Sequence, residues 1–290
     1  MLNLVNLPLL MSLTQGCTDI SVTLIDGPVN TGLSNFEGST IRNISPDGKG
    51  EFGQPDTFAC DHGTLVAGVL LGRRGSTVTA ICPGCTLLLR PIFSQTGDDP
   101  FGVPSASPEV LARAITEAVL AGTKIVNLSC GIARCSGRGE SSLRSAISFA
   151  ASRGVIVVAA AGNDGRVGGS CVTKDPWVIP VVAIDGSGRP TNECNLSATI
   201  GLRGLAAPGQ DLPSVHSNGA PARFSGTSAA CPVVAGTAAL LWSEYPDCTA
   251  SEIKRALTGG ARQRSIVPPA MDAWGAFQKL AAVARRRKMA

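Results

Sequence analysis

Four residues of this 290-residue chain carry the side chains that acyl transfer requires, and each lies beside a predicted strand or helix end. Asp26 closes the apolar run ISVTLID, and Asn163 follows the run VIVVAAAG. His62 opens HGTLVAGVLLG, and Ser228 opens a long run of small apolar residues. Acyl transfer uses a nucleophilic hydroxyl, an imidazole base, a carboxylate that orients the base, and a donor for the oxyanion. The sequence contains one of each, which indicates covalent catalysis by a serine.

The stretch FSGTSAACPVVAG, residues 224–236, contains the proposed nucleophile. Residues 229–242 predict a buried helix with Pro232 in its first turn, where a missing N–H costs little because the first N–H groups of a helix have no intrahelical partner. Thr227 or Ser228 then stands at the positive end of the helix dipole, which favours a developing alkoxide. The alternative is that Ser228 only caps a core helix.

Each assignment has a competitor. His216, the second of the two histidines, lies in the polar loop SVHSNGA, where a solvated side chain is expected. Asp61 directly precedes His62, so its side chain is expected to point elsewhere and to cap the helix. Ser225 lies three residues too early to stand at the helix start. Asn163 belongs to GNDG and also fits a simple turn residue.

Strand and helix patterns alternate along the chain. The predicted strands cover 20–26, 86–93, 124–129, 155–162, 177–184 and 200–209. The predicted helices cover 62–72, 107–122, 141–154, a long segment from 229, and 271–285. Such alternation gives right-handed crossovers and a mostly parallel sheet with helices on both faces, and active sites form at the carboxyl ends of its strands. The sequence predicts a single α/β domain over residues 1–290, with a loop at 30–60.

Composition argues against a nucleic-acid or membrane partner. Hydrophobic residues make up 44% of the chain and charged residues 16%, as in an ordinary globular protein. The net charge is +4, and the basic tail after the last helix supplies four positive charges at 285–288. No basic face for nucleic acid is therefore expected. The apolar run 229–242 is too short to span a bilayer.

The N-terminal segment 1–16 is apolar but matches a signal peptide poorly. It lacks a basic start and an A-x-A cleavage site, and Asn3, Asn6 and Pro8 interrupt it. We expect a short helix that packs on the domain, with a signal peptide as the alternative. The expected location is the cytoplasm.

Ten cysteines are spread over the chain. Most are expected to be buried thiols, with one or two surface disulfides as the alternative. CPGC at 82–85 is similar to half a zinc site or a redox pair, but no second cluster completes it, and a turn at Pro83 and Gly84 explains it better. No metal and no cofactor are predicted.

Four segments together resemble the signature blocks of subtilisin-like serine peptidases. They are LIDG around Asp26, HGTLVAG around His62, VVAAAGNDG around Asn163 and SGTSAACPVVAG around Ser228. The chain order Asp, His, Ser is also that of subtilisin. The blocks span residues 20–240, and four blocks in one order are a specific match.

The resemblance implies a role for each residue. Ser228 would be the nucleophile, His62 its general base, and Asp26 the carboxylate that holds the imidazole tautomer. The side-chain amide of Asn163, with the backbone N–H of Ser228, would bind the oxyanion. NLSCG at 127–131 matches the strand that pairs with the substrate backbone in this family. The pocket before the scissile bond would be formed by Ser129, Cys130, Gly131, Ala160, Ala161 and Gly162. The family usually has Leu or a similar residue at the position of Cys130.

A narrower resemblance concerns the cyanobactin-maturation proteases of the patellamide type. It rests on LP at 7–8, LIDGPV, CPGCTLLLRPIF and AGNDG. Related macrocyclases carry a long insertion between the catalytic Asp and His, whereas 36 positions separate Asp26 from His62 here. The resemblance therefore implies a hydrolase that trims the leader of a ribosomal precursor peptide. The alternatives are a general intracellular protein-degrading subtilisin and an inactive fold that only binds peptides.

Overall fold

A parallel sheet lies at the centre of the computed structural model, which describes residues 1–46, 57–93, 106–130, 137–259 and 265–289. Its strands are β1 (Ser21–Asp26), β2 (Thr40–Asn43), β3 (Thr86–Pro91), β4 (Ile125–Leu128), β5 (Ile156–Ala160), β6 (Ile179–Ile184) and β7 (Leu205–Pro208). Their order across the sheet is β2-β3-β1-β4-β5-β6-β7, and each neighbouring pair is parallel. An antiparallel hairpin joins β8 (Leu212–Val215) to β9 (Pro221–Phe224). The predicted α/β fold is confirmed.

Helices cover both faces of the sheet. They are α1 (Leu7–Leu13), α2 (Phe58–Leu70), α3 (Pro108–Leu120), α4 (Arg138–Ser152), α5 (Ala198–Arg203), α6 (Thr227–Glu244), α7 (Ala250–Thr258) and α8 (Ala273–Met289). Helices α2 and α6 pack on one face and α3 and α4 on the other, and each pair buries its own apolar cluster. None of the helices in the described ranges combines the length and the apolar character needed to cross a bilayer.

The strand order changes direction beside β1. The chain runs from β1 to the edge strand β2, returns through β3, and then crosses to β4 on the other side of β1. In an open parallel sheet, the carboxyl ends of the strands on either side of such a switch form a crevice. Asp26 ends β1, and Ser129 directly follows β4, so both residues lie at this crevice.

Helices α2 and α6 begin earlier than the sequence predicts. Helix α2 begins at Phe58 because the side chain of Thr57 accepts a hydrogen bond from the N–H of Cys60, so His62 is its fifth residue and does not open it. Helix α6 begins at Thr227, which places Pro232 inside the helix and not in its first turn. The prediction for Pro232 was therefore wrong.

Other element predictions need smaller corrections. The predicted strand 200–209 divides into helix α5, where the Ser197 side chain accepts from the N–H of Ile200, and strand β7. The predicted loop 30–60 contains the edge strand β2 and the first turn of α2. The hairpin β8–β9 and helix α7 were not predicted, since their apolar runs are short. Helix α8 extends to Met289, beyond the predicted end at 285.

The N-terminal segment packs on the domain. Val5, Leu7 and Leu10 are fully buried, and Pro8 lies in the first turn of α1, where its missing N–H costs nothing. The guanidinium of Arg74 donates hydrogen bonds to the carbonyls of Met11 and Thr14. It also donates to two carbonyls of the loop after α2, those of Ala80 and Ile81.

The described cysteines are mostly thiols, as predicted. Eight are free; seven of these are buried, and Cys17 is half-buried. Cys171 is disulfide-bonded. The CPGC segment forms a turn, because the N–H of Cys85 donates to the carbonyl of Cys82 at 3.0 Å.

Candidate active site

Buried Asp26 and partly buried His62 form a pair at the carboxyl end of β1. His62 Nδ1 lies 2.7 Å from Asp26 Oδ1, which also accepts the N–H of Gly27 at 2.7 Å. An ionised carboxylate only accepts, so Nδ1 carries the proton and Nε2 is left to receive one. Gly63 permits this approach, because a Cβ there would lie 2.5 Å from the carbonyl oxygen of Pro28.

Two phenylalanines flank the imidazole of His62. The ring of Phe58 stacks on it at 6.3 Å between centroids, and Phe224 meets it edge-on at 5.6 Å. The His62 side chain is 20% exposed. These rings restrict water around the imidazole while leaving one side open to the cleft.

The environment of His62 favours its protonated form. Burial alone would lower its pKa, but the charge and hydrogen bond of Asp26, with a smaller contribution from Asp61, raise the pKa above the ordinary value for histidine. The second oxygen of Asp26, Oδ2, is buried and has no hydrogen-bond partner among the described residues. The carboxylate therefore stabilises an imidazolium, as a general base requires after it takes a proton.

Ser228 is the second residue of α6, and it is bound to Ser129. Its hydroxyl donates to the Ser129 carbonyl at 2.6 Å, and the Ser129 hydroxyl donates to the Ser228 carbonyl at 3.0 Å. Pro232 explains the bond from the Ser129 hydroxyl to the Ser228 carbonyl. Four residues further along the helix, Pro232 has no N–H to give to the Ser228 carbonyl, and Ser129 satisfies that carbonyl instead. Asn127 in turn donates to the Ser129 hydroxyl at 2.9 Å.

No hydrogen bond joins Ser228 to His62 in the part of the chain that the structure describes. Both side chains line the same cleft. The Ser228 hydroxyl can turn from the Ser129 carbonyl by a change of χ1 between staggered rotamers. The triad assignment stays a prediction. Asp26 and His62 are hydrogen-bonded to each other, whereas the Ser228 hydroxyl donates to the Ser129 carbonyl.

Thr227 fixes the orientation of Asn163. The side-chain oxygen of Asn163 accepts from both the N–H and the hydroxyl of Thr227, each at 3.0 Å. The Asn163 amide nitrogen is thereby left as a donor beside Gly226, two residues before Ser228. Gly226 has φ 101°, and a Cβ there would lie 3.0 Å from that nitrogen, so glycine keeps this space open.

A polar loop residue, Asn195, supports the turn that carries Asn163. Its side-chain oxygen accepts from the N–H groups of Asp164 and Arg166, and its nitrogen donates to Asp164 Oδ2 at 3.0 Å. Sequence reasoning missed Thr227 and Asn195 as positioning residues. Thr227 is adjacent to Ser228 and was open to prediction, whereas nothing in the sequence near Asn195 points to the site.

The cleft beside the predicted triad has a volume of about 380 Å³. It is lined by Asp26, Phe58, Ala59, Asp61, His62, Leu65, Phe93, Ser129, Cys130, Asn163, Phe224, Ser225 and Ser228. The aromatic rings make its walls mainly apolar. A second cavity of about 500 Å³ lies on the other side of Asn163 and Gly226. Asn163 thus stands between two cavities, as an oxyanion donor at the middle of an extended substrate would.

The predicted pocket residues separate into two groups. Ser129 and Cys130 line the cleft, and Cys130 packs with Ala59 and Phe93. Burial raises the pKa of the Cys130 thiol, so it is inert at neutral pH. Ala160, Ala161 and Gly162 do not line this cleft as far as the structure describes it, and Gly131 lies outside the described residues. Their pocket role stays a prediction.

The predicted substrate-pairing segment 127–131 begins too early. Asn127 and Leu128 lie inside β4, which pairs with β1 on one side and β5 on the other, so their backbone groups are already used. Of this segment, the described residues that follow the strand are Ser129 and Cys130, and the Ser129 carbonyl accepts the Ser228 hydroxyl.

Asp61 and His216 pair with each other. Asp61 Oδ2 lies 2.8 Å from His216 Nδ1, and Asp61 Oδ1 accepts the N–H of Ser217 at 2.8 Å. The predicted capping role for Asp61 was wrong, because Thr57 caps α2. His216 is not simply solvated, since it is 42% exposed and has this acidic partner.

Comparison with known proteins identifies the family. The model described as the subtilase family matches residues 18–275. The chain belongs to this family. Subtilase relatives include subtilisin DY of Bacillus licheniformis, 28% identical over 243 residues, which are 81% of this chain and 82% of that protein. The thermostable alkaline protease of Halalkalibacterium halodurans is 32% identical over 195 residues, 67% of this chain. This chain spans only 50% of the length of that protease.

Solved subtilase structures support the narrower resemblance. A serine-to-alanine mutant of the protease domain of PatA superposes with a TM-score of 0.83 at 31% identity, covering 94% of this chain and 98% of that one. The prenylagaramide maturation protease PagA gives a TM-score of 0.81 at 30% identity, with the same coverage. The predicted similarity to the cyanobactin-maturation proteases is confirmed, and the family and these relatives support a serine endopeptidase.

Proposed function

We propose that this subtilase is a serine endopeptidase that cuts a ribosomal precursor peptide at its leader or recognition sequence. The observation that carries the proposal is the Asp26–His62 pair, 2.7 Å apart, in the same cleft as Ser228 at the start of α6. The likeness to two proteases named for patellamide and prenylagaramide maturation supports the choice of a precursor peptide.

In the proposed reaction, Ser228 attacks the scissile carbonyl and gives its proton to Nε2 of His62. Asp26 stabilises the resulting imidazolium, while the Asn163 amide and the Ser228 N–H hold the oxyanion. The imidazolium then protonates the leaving amine, and an acyl-enzyme remains on Ser228. Water, deprotonated by His62, hydrolyses this ester and restores the serine. The residues that we propose for these steps require neither a metal nor a cofactor.

We further propose a cytoplasmic location. Its support is the number of free thiols, eight among the described cysteines, because a reducing compartment keeps cysteines in this state. The disulfide at Cys171 argues the other way and gives a direct test. Mass spectrometry of the protein from its native cells would find the Cys171 thiol reduced if the location is correct.

The deciding experiment combines a peptide search with an activity probe. The genes beside this one are inspected for a short precursor peptide, which is synthesised and incubated with the wild-type protein and with Ser228→Ala. We expect one or two discrete cuts by the wild type and none by the variant. Rapid digestion of casein would instead indicate a general protein-degrading subtilisin. Failure of a fluorophosphonate to label Ser228 would indicate an inactive peptide-binding fold.

A further inference from the structure

The loop between β8 and β9 contacts α2, which carries His62, and the segment that follows Asp26, and its hairpin leads into α6, which carries Ser228. Ser217, at the tip of this hairpin, is fully buried. Its N–H and hydroxyl both donate to Asp61 Oδ1, at 2.8 and 3.2 Å, and Asp61 directly precedes His62. Its carbonyl accepts the side-chain amide of Asn30 at 2.7 Å, four residues after Asp26. The hairpin itself leads through Phe224 and Ser225 into Ser228.

Asp61 makes most of the contacts in this junction. Its second oxygen pairs with His216 Nδ1 at 2.8 Å, so both carboxylate oxygens are bound to the hairpin loop. The Asp61 side chain is 30% exposed and therefore lies at the rim of the cleft, next to the imidazole that it precedes. No other carboxylate among the described residues forms an ion pair or a side-chain hydrogen bond with this hairpin loop.

The hairpin provides one side of the surroundings of the imidazole. Strand β9 ends at Phe224, whose ring meets His62 edge-on at 5.6 Å. A hairpin that moved away from α2 would take Phe224 from His62 and would displace the loop that leads to the nucleophile. Displacements of about 1 Å between reacting groups cost up to about 100-fold in rate.

We propose that Asp61 is a positioning residue: its carboxylate holds the β8–β9 hairpin against α2 and thereby fixes His62, Phe224 and Ser228 relative to one another. This inference rests on the proposed peptidase function. It predicts that substitution of Asp61 lowers kcat even when the variant protein is fully folded.

The charge of Asp61 has a second effect. It is one of the two carboxylates that raise the pKa of His62, the other being Asp26. Among the described residues, the titratable neighbours of Asp61 include His216 on the hairpin and both His62 and Cys60 on α2. The pKa of the Cys60 thiol is raised by burial first and by the Asp61 charge as well. Loss of this charge lowers the pKa of His62, so the acid limb of activity moves to lower pH.

The test compares Asp61→Ala with Asp61→Asn. Asparagine still accepts the Ser217 N–H but has no charge, whereas alanine removes both. We expect Asp61→Ala to lower kcat by about 10- to 100-fold with little change in KM. Asp61→Asn should recover most of this loss and move the acid limb of kcat/KM to lower pH. The matched control, Asp247→Asn, removes an exposed carboxylate in the connection between α6 and α7 and should change neither quantity.

Each outcome decides for or against the proposal. Wild-type kcat in Asp61→Ala overturns it, as does a kcat loss that disappears when both proteins are assayed well below their unfolding temperatures. Amide hydrogen exchange at Ser217 gives a readout independent of activity, and protection there should fall in Asp61→Ala and persist in Asp61→Asn. If the wild type cuts no peptide, the proposed function fails, while the exchange measurement still tests whether Asp61 holds the hairpin.

Discussion

Ser228 and Ser129 are joined in both directions, each hydroxyl donating to the other residue's backbone carbonyl, at 2.6 and 3.0 Å. The two bonds have different consequences. The bond to the Ser228 carbonyl compensates for the N–H that Pro232 lacks and so stabilises the start of α6. The bond from the Ser228 hydroxyl occupies the Ser129 carbonyl, directly after β4. A substrate N–H that takes this carbonyl would release the hydroxyl for proton transfer to His62.

Ser228→Ala should abolish peptide cleavage and leave the fold intact. The variant loses the proposed nucleophile and one hydrogen bond, and such a bond contributes about 1 kcal/mol to the free energy of unfolding. The measurements are the rate of precursor cleavage and the urea midpoint. Ser152→Ala is the matched control, because its hydroxyl also donates to a backbone carbonyl, that of Phe149. Wild-type turnover in Ser228→Ala would disprove the nucleophile assignment.

Asn163→Ala should lower kcat by about 100- to 1,000-fold with little change in KM, a range that comes from subtilisin, a member of the same family. Because Thr227 holds the Asn163 oxygen through both its N–H and its hydroxyl, Thr227→Val should lower kcat as well, though less. Thr227→Ser keeps the hydroxyl and should restore most of the rate. Steady-state kinetics separate the two constants, and an effect on KM alone would make Asn163 a turn residue.

The pH dependence of kcat/KM should show an acid limb set by His62. The base must be neutral to accept a proton, and its pKa is raised above the ordinary 6.5, so activity is lost at a higher pH than for a free histidine. His216→Ala should leave this limb in place. If the acid limb disappeared in His216→Ala, His216 and not His62 would be the general base. The measurement is kcat/KM across the pH range in which the fold is stable.

Short chromogenic substrates of about two or three residues should be cut poorly, and peptides with about five or more residues upstream of the cut far better. The cleft walls beside the predicted triad are mainly apolar, and the two carboxylates that line it, Asp26 and Asp61, are each paired with a histidine, so side-chain charge contributes little to the choice of residue at the cut. Selectivity then depends on an extended backbone laid along Ser129 and Cys130, with a gain mostly in kcat. Equal rates on casein and on short substrates would contradict this prediction and the processing role.

Arg74→Met should lower the free energy of unfolding by about 2 to 4 kcal/mol, because it leaves four backbone carbonyls without their charged donor. Arg74→Lys should recover little, since an ammonium group does not reproduce the planar fork of donors. The neighbouring Arg73 is exposed, and Arg73→Met serves as the control in the same urea titration. Equal midpoints for Arg74→Met and Arg73→Met would show that these bonds contribute nothing.

The sequence by itself determined the fold class and the candidate chemistry. Alternating apolar runs require a covered parallel sheet, and side chains that end strands must meet at its carboxyl edge. Asp26 could therefore be assigned with its strand, and Ser228 with its helix, before any distance was known. Element ends were less secure, because a single side-chain cap decides them: Thr57 moves the start of α2 four residues before His62.

Only the tertiary structure decided which polar groups support the site. Asp61, Thr227 and Asn195 act through partners that are 155, 64 and 31 positions away along the chain. Sequence spacing carries no signal for such contacts, because they depend on how the hairpin, α2 and the Asn163 turn pack together. The same holds for the Ser228 hydroxyl. Its residue type predicts a nucleophile, but its hydrogen bond to Ser129 is fixed by the local packing, since α6 meets the end of β4 there.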